Sequence, residues 1–222
     1  MKVSLIHPSR QRAEQAMRTY KSWLSKASGK HEIEHILSLD ANDIQLPYYK
    51  VIFDKHGTND NQKLIISNNR NCVEATNVAA KQATGEMLIY FSDDFDCPVN
   101  WDEELVKSIP VDKDKWCLWV RDGITDRDNK QILCIPIISK TIYDTLGYFW
   151  YPEYKSMFCD EDLYWVYANN RWIYRKFHLT FEHKHFMNGK AKKDDTYNTH
   201  ASPQRYNEGK AIFERRQREG FK

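Results

Sequence analysis

Glycine is scarce in this 222-residue chain, and none of its eight glycines builds a phosphate loop. Neither Gly-x-Gly-x-x-Gly nor Gly-x-x-x-x-Gly-Lys-Ser/Thr occurs, which disfavours a dinucleotide oxidoreductase and a P-loop NTPase. Cysteine is sparse too. The five thiols (Cys72, Cys97, Cys117, Cys134, Cys159) are odd in number, widely spaced and without a CxxC pair, so neither a disulfide framework nor a zinc ribbon is indicated. A reducing, cytoplasmic compartment is expected. The opening apolar run is too short for a signal peptide, and no later run approaches the length of a membrane span. Nor is one charge in excess: 33 basic against 31 acidic residues leave +2, which provides no electrostatic footprint for nucleic acid.

What is present is an alternation of apolar runs with helical periodicity, the pattern of a mostly parallel α/β sheet flanked by helices. Residues 3–6 read as a first strand broken by Pro8-Ser9-Arg10, and Ala13, Ala16, Met17, Tyr20, Leu24 and Ala27 share a helical stripe. A second strand over 33–39 ends on Asp40, and 51–53 and 64–66 are short strand-like runs. Asn71 and Glu74 form a capping box, opening an Ala-rich helix that runs to Gly85 as terminator. The continuous apolar run 87–91 predicts a strand buried on both faces, which delivers Ser92-Asp93-Asp94-Phe95-Asp96 to the sheet edge where open α/β folds bind ligands. Helices are expected over 101–109 and 163–168, strands over 116–120 and 132–138, and a loop over the polar stretch 188–205. A single domain over 1–200 with a basic, amphipathic, helical tail over 201–222 follows. That tail can lie in solvent or rest on anionic lipid or a partner.

Three carboxylates within four residues repel one another, and a cation among them relieves the crowding. A solvated acidic turn is the alternative. Asp160-Glu161-Asp162 starts the 163–168 helix, where carboxylates suit the helix dipole and where one of Asp160 and Asp162 is placed to act as general base. In 177–185, alternation puts Phe177, Leu179, Phe181, His183 and His185 on one face, so a histidine can join the aspartates around a metal such as Mn²⁺. Arg10 and Arg70 are candidate phosphate partners.

Taken in order, these parts resemble an inverting family-2 glycosyltransferase with the GT-A fold. The most specific stretch runs from Asn77 through Ala83-Thr84-Gly85-Glu86 to Asp96 and is similar to that family's helix, turn, strand and DxD signature. The resemblance implies that Asp94 and Asp96 hold Mn²⁺ or Mg²⁺ on the donor diphosphate. Asp93 then contacts the donor or shares the metal, and His183 or His185 adds a ligand. Pro8 and Arg10 fall in the family's first turn, and Asp40 falls where an acidic residue contacts the base. Cys159-Asp160-Glu161-Asp162-Leu163 resembles its Glu-Asp-x-Asp-Leu, with Asp160 on the base position and Asp162 on the supporting one; Glu161-Asp162 as the family's Glu-Asp pair is the competing register. Tyr148, Trp150 and Tyr151 border the acceptor. The implied activity is transfer of a sugar from a nucleotide-sugar donor, UDP-linked in the first instance, to a hydroxyl of a glycan or glycoconjugate. A non-catalytic nucleotide-sugar-binding module and a sugar nucleotidyltransferase are the rival readings; the latter usually carries a Gly-rich loop that Pro8-Ser9-Arg10-Gln11 lacks.

Overall fold

The computed structural model describes residues 1–55, 61–125, 130–191, 194–200 and 202–222. Its strands are β1 (Lys2–Ser9), β2 (Glu32–Asp40), β3 (Gln62–Ser67), β4 (Met87–Tyr90), β5 (Phe95–Asp96), β6 (Cys117–Arg121), β7 (Ile137–Ser139), β8 (Ile173–Thr180) and β9 (Glu182–His183). Its α-helices are α1 (Ala13–Lys26), α2 (Leu46–Lys55), α3 (Cys72–Lys81), α4 (Trp101–Lys107), α5 (Lys140–Leu146), α6 (Cys159–Asn169), α7 (Asp195–His200) and α8 (Pro203–Arg218).

Seven strands form one sheet in the order β3-β2-β1-β4-β7-β6-β8, in which β7 runs against its neighbours and every other pairing is parallel. Alternate residues of the buried central strands feed opposite faces. Ile6, Ile36 and Leu88 pack with α3 and α6, while Leu5, Met87 and Ile89 pack with α1 and α4. From β1 the chain winds outward through β2 and β3, then returns to the other side of β1 as β4. That reversal opens a crevice beyond the carboxyl ends of β1 and β4, the usual ligand position in such sheets. The small ribbon of β5 and β9 sits apart from the main sheet.

Several local expectations change. Residues 51–53 lie in α2, where Tyr49 and Phe53 at helical spacing bury against Leu37 and Leu39. Strand β1 continues through Pro8, which pairs with Ser38 of β2. The Ile6 carbonyl, on the same side of the strand as Pro8, accepts the last bond from the β4 side at Phe91 N–H. The missing proline donor therefore falls where that pairing has ended. Of the 132–138 run only 137 and 138 are strand, as the start of β7. Gly85 lies past the end of α3 and is required for close approach: a Cβ there would stand 2.6 Å from Ser4 Oγ and 2.8 Å from the Lys2 carbonyl. The polar stretch 188–205 contains α7 and the start of α8, where Ser202 accepts from Arg205 N–H and Pro203 takes the first helical position. The capping box at α3 is half as drawn. Asn71 accepts from Glu74 N–H at 3.0 Å, but the Glu74 carboxylate reaches back to Arg70 N–H at 2.8 Å. In the tail, Ile212, Phe213 and Phe221 pack against the core, so its apolar side is covered by protein. Among the described residues no helix is long and apolar enough to cross a membrane.

Candidate active site

The acidic run leaves β4 at the crevice, and its three aspartates face different partners. Asp93 turns inward. Its carboxylate accepts from His7 Nε2 at 2.7 Å and from Ser9 Oγ at 2.9 and 3.0 Å, and its backbone carbonyl accepts from Thr19 Oγ1 at 2.6 Å. Because a carboxylate only accepts, His7 carries a proton on Nε2, and its Nδ1 lies 2.8 Å from His35 Nε2. Burial, with His7 adding to it, holds His35 neutral. Asp93 thus ties β1 to α1 rather than presenting a free carboxylate to a donor.

Asp94 is buried, which alone would raise its pKa. Bonds from His183, Tyr197 and Ser92 outweigh that and hold the carboxyl well below the usual carboxylate range. Ser92 Oγ donates to Oδ1 at 2.8 Å and Tyr197 OH to Oδ2 at 2.7 Å, while His183 Nε2 stands 3.4 Å from Oδ2. The β5–β9 ribbon brings His183 there, since its register sets Phe95 opposite His183 and the two rings stack at 4.4 Å. His185 instead packs edge-on against Tyr197 at 4.6 Å and against Phe186. Asp96 is turned to lysines, pairing with Lys26 and, at 2.9 Å, with Lys184. Of the four expected metal ligands, the structure therefore brings together Asp94 and His183. Among the described residues no three His, Cys, Asp or Glu side chains converge as a finished metal cage. An ionised carboxylate oxygen beside an imidazole nitrogen suits a divalent cation whose other positions are filled by diphosphate oxygens and water, as is usual for Mg²⁺ at phosphate sites.

A cleft of about 510 Å³ opens beside Asp94, with Arg12, Arg18, Asp94, Asp96, Lys184 and Tyr197 on its walls. Arg12, at the head of α1, forks onto Asp194 at 2.8 Å through both Nε and Nη2, and its Nη1 lies 3.7 Å from Asp94. Its guanidinium also covers the Tyr197 ring at 4.5 Å. Arg12, Lys26, Lys184 and Tyr197 were not singled out from the sequence. Arg12 carried a signal, lying just beyond Arg10 at the start of the first helical stripe, whereas Tyr197 sits in a polar stretch with none. Asp40, at the end of β2, is paired with Arg10, which also donates to Asn42 at 2.8 Å. Arg70 is exposed, holds Glu74, and lines a separate cleft with Glu153 and Arg205.

Asp160 stands half-buried in the first turn of α6, which the chain enters through Phe158 at φ +71° without a side-chain cap. Burial pushes its carboxyl up and Asp122 adds to that push; the backbone N–H groups of Asp160 and Glu161, and His183, oppose it. His183 is thus among the charged groups that act on Asp160. Asp162 faces the other way, 1% exposed, with both oxygens held by Arg216 at 2.6 and 3.2 Å and by Tyr154 OH at 3.1 Å. It is part of a buried ion pair with no free face. Trp150 is core, edge-on to Tyr90 at 5.3 Å, and Asn77 pins its loop by accepting from Phe149 and Trp150 N–H at 2.9 Å each. Tyr151 lies under the Arg216 guanidinium at 3.7 Å, and Tyr148 meets it edge-on at 5.6 Å. Of these three aromatics, Tyr148 and Tyr151 keep partial exposure.

No protein-family model and no curated protein sequence matches the chain. Among solved structures, it is similar to a TarS fragment from S. aureus in complex with UDP-GlcNAc, at 17% identity and a TM-score of 0.70, over 96% of this chain and 65% of that one. A longer TarS structure gives 15% identity and a TM-score of 0.68, with 97% of this chain covering 39% of it. The mannosyltransferase PcManGT from Pyrobaculum calidifontis, in complex with GDP-Man and Mn²⁺, gives 12% identity and a TM-score of 0.65, over 97% of this chain and 75% of that one. The chain thus spans less than two thirds of the TarS structures. At these identities the likeness establishes a shared fold, that of these glycosyltransferases.

Proposed function

We propose that this chain is a metal-dependent, inverting glycosyltransferase that moves a sugar from a nucleotide sugar, UDP-linked in the first instance, to a hydroxyl of a glycan or glycoconjugate. The observation that carries this reading is the pairing of Asp94 with His183 at the crevice beyond the carboxyl ends of β1 and β4. The solved structures of similar fold support it, since those proteins are in complex with UDP-GlcNAc or with GDP-Man and Mn²⁺.

In this reading Asp94 and His183 hold Mn²⁺ or Mg²⁺, whose charge would neutralise the departing diphosphate. Arg12 stands beside Asp94 as a second cation for the phosphates, and Asp40 with Arg10 lies at the end of β2 where the base of the nucleotide would rest. Asp160 removes the proton from the acceptor hydroxyl, a task that a carboxyl raised toward neutral pH performs better than an ordinary aspartate. Attack in line with the leaving group inverts the sugar. Tyr148 and Tyr151 offer partly exposed aromatic faces for the acceptor ring. Asp96 joins the metal only on leaving Lys26 and Lys184.

The test is a panel of nucleotide sugars with Mn²⁺ or Mg²⁺, read as nucleoside diphosphate release by wild type, Asp94→Ala and Asp160→Asn. Asp94→Ala should lose metal-dependent donor binding, and Asp160→Asn should bind donor yet lose about 10²- to 10⁴-fold in turnover. Donor binding that ignores metal in the wild type defeats the proposal.

A further inference from the structure

We infer that the C-terminal helix is part of the catalytic unit, with Arg216 acting as a positioning residue for the Asp160 turn and the acceptor-side aromatics. The inference rests on the transferase reading for what Asp160 does, and on contacts for how it is held.

One face of α8 touches the chain on both sides of Asp160. Tyr206 and Phe213 flank the Phe158 ring at 5.2 and 5.8 Å, and Gly209 lies so close to the preceding residue that an added Cβ would stand 2.5 Å from the Met157 carbonyl. Two residues beyond Asp160, Arg216 grips Asp162 with its fork. Tyr206, Gly209, Phe213 and Arg216 are spaced by three, four and three residues, so a single helical stripe makes every one of these contacts.

Elsewhere the turn is held by Leu133 N–H on the Asp160 carbonyl at 3.3 Å and by Tyr154 OH on Asp162 at 3.1 Å, neither of which is a bidentate grip. Phe158 sits in the left-handed region, and α6 begins with no side-chain cap. A bidentate guanidinium–carboxylate pair fixes direction as well as distance, so Arg216 sets the rotation of the first turn that carries Asp160. The same guanidinium covers the Tyr151 ring at 3.7 Å and donates to the Lys222 carbonyl at 2.7 Å. One side chain thereby links the base, the acceptor-side loop and the chain terminus. The donor half, built on β1, β2 and β4, makes none of these contacts.

The experiment uses the full chain with Arg216→Met and Arg216→Lys. Three quantities are read: affinity for UDP with Mn²⁺ by calorimetry, kcat and KM for UDP release from the sugar donor that wild type turns over, and amide exchange across 157–163. Arg216→Met should lower kcat about a hundredfold while UDP affinity and donor KM stay within about twofold, the pattern of a misplaced base beside an intact donor site. Exchange protection should fall over 157–163 and hold in β1 and β4. Arg216→Lys, which keeps charge but not the fork, should recover part of both losses, and it carries the test alone if the methionine variant does not fold. Unchanged protection over 157–163 overturns the inference, as does UDP affinity that collapses together with kcat. If Asp160→Asn keeps full turnover, the transferase reading of Asp160 fails, while the exchange result still decides whether Arg216 holds the turn.

Discussion

Glu34→Gln tests how the sheet edge farthest from the crevice is held together. Glu34, early in β2 and 1% exposed, accepts from Ser4 Oγ at 2.6 Å, from Thr84 N–H and Oγ1 at 2.9 Å each, and from Lys63 Nζ at 2.7 Å. Burial alone would raise its pKa, but the bonds from Lys63, Ser4 and Thr84 outweigh it and draw the carboxyl from its ordinary 4.5 to about 2. At about 1.4 kcal/mol per pH unit, that difference corresponds to about 3 kcal/mol of stability at neutral pH. A second route agrees: glutamine keeps one acceptor for Ser4 and Thr84 but turns an N–H toward the Lys63 ammonium, losing a charge-assisted bond of about 1.5–3 kcal/mol. The sign follows from the depressed native pKa. The stabilisation is complete above pH 4.5 and is lost as pH falls toward about 2, because the unfolded chain takes up the proton first. Urea unfolding of wild type and Glu34→Gln should therefore differ by about 3 kcal/mol at pH 7, by about half of that at pH 3, and converge toward pH 2, with turnover at pH 7 unchanged. A gap that stays constant across that range refutes the reasoning.

Gly85→Ala strikes the same network from the other side, since the new Cβ meets Ser4 Oγ at 2.6 Å and the backbone at 2.8 and 2.9 Å. Overpacking of this kind costs about 1–3 kcal/mol, and an unchanged denaturation midpoint would contradict the close approach. For Asp160, the raised native pKa places the acid limb of the kcat profile above the ordinary aspartate range of about 3.9, and Asp122→Asn should move that limb down by removing a like charge. By the same linkage the ionised Asp160 costs stability at neutral pH, so Asp160→Asn should melt no lower than wild type while losing turnover; a lower melting temperature would oppose this assignment.

The division of labour within the acidic run shows why neighbouring, chemically identical residues diverge. Asp93 meets a hydroxyl and an imidazole of β1, Asp94 meets a histidine and a tyrosine from the last third of the chain, and Asp96 meets two lysines. Each contact crosses between elements far apart in sequence. Spacing could mark the run as a crowded anionic turn at a ligand edge, but which partners each aspartate takes depended on what the fold placed opposite.

From the sequence alone came the parts set by local burial: the central strand 87–91, the Asn71 cap, the helix behind it, and the placement of the acidic run at a sheet edge. Apolar periodicity reports how one segment faces the core, and those segments obey it. The different settings of His183 and His185 belonged to tertiary structure, because the β5–β9 register stacks one on Phe95 beside Asp94 and leaves the other against Tyr197. So did the separation of Asp160 from Asp162. The two look alike in the first turn of a helix, yet one remains half-exposed while the other is enclosed by an arginine 54 residues away. Periodicity carries no information about such a partner, since a polar side chain is satisfied by whatever the completed fold brings within hydrogen-bonding distance.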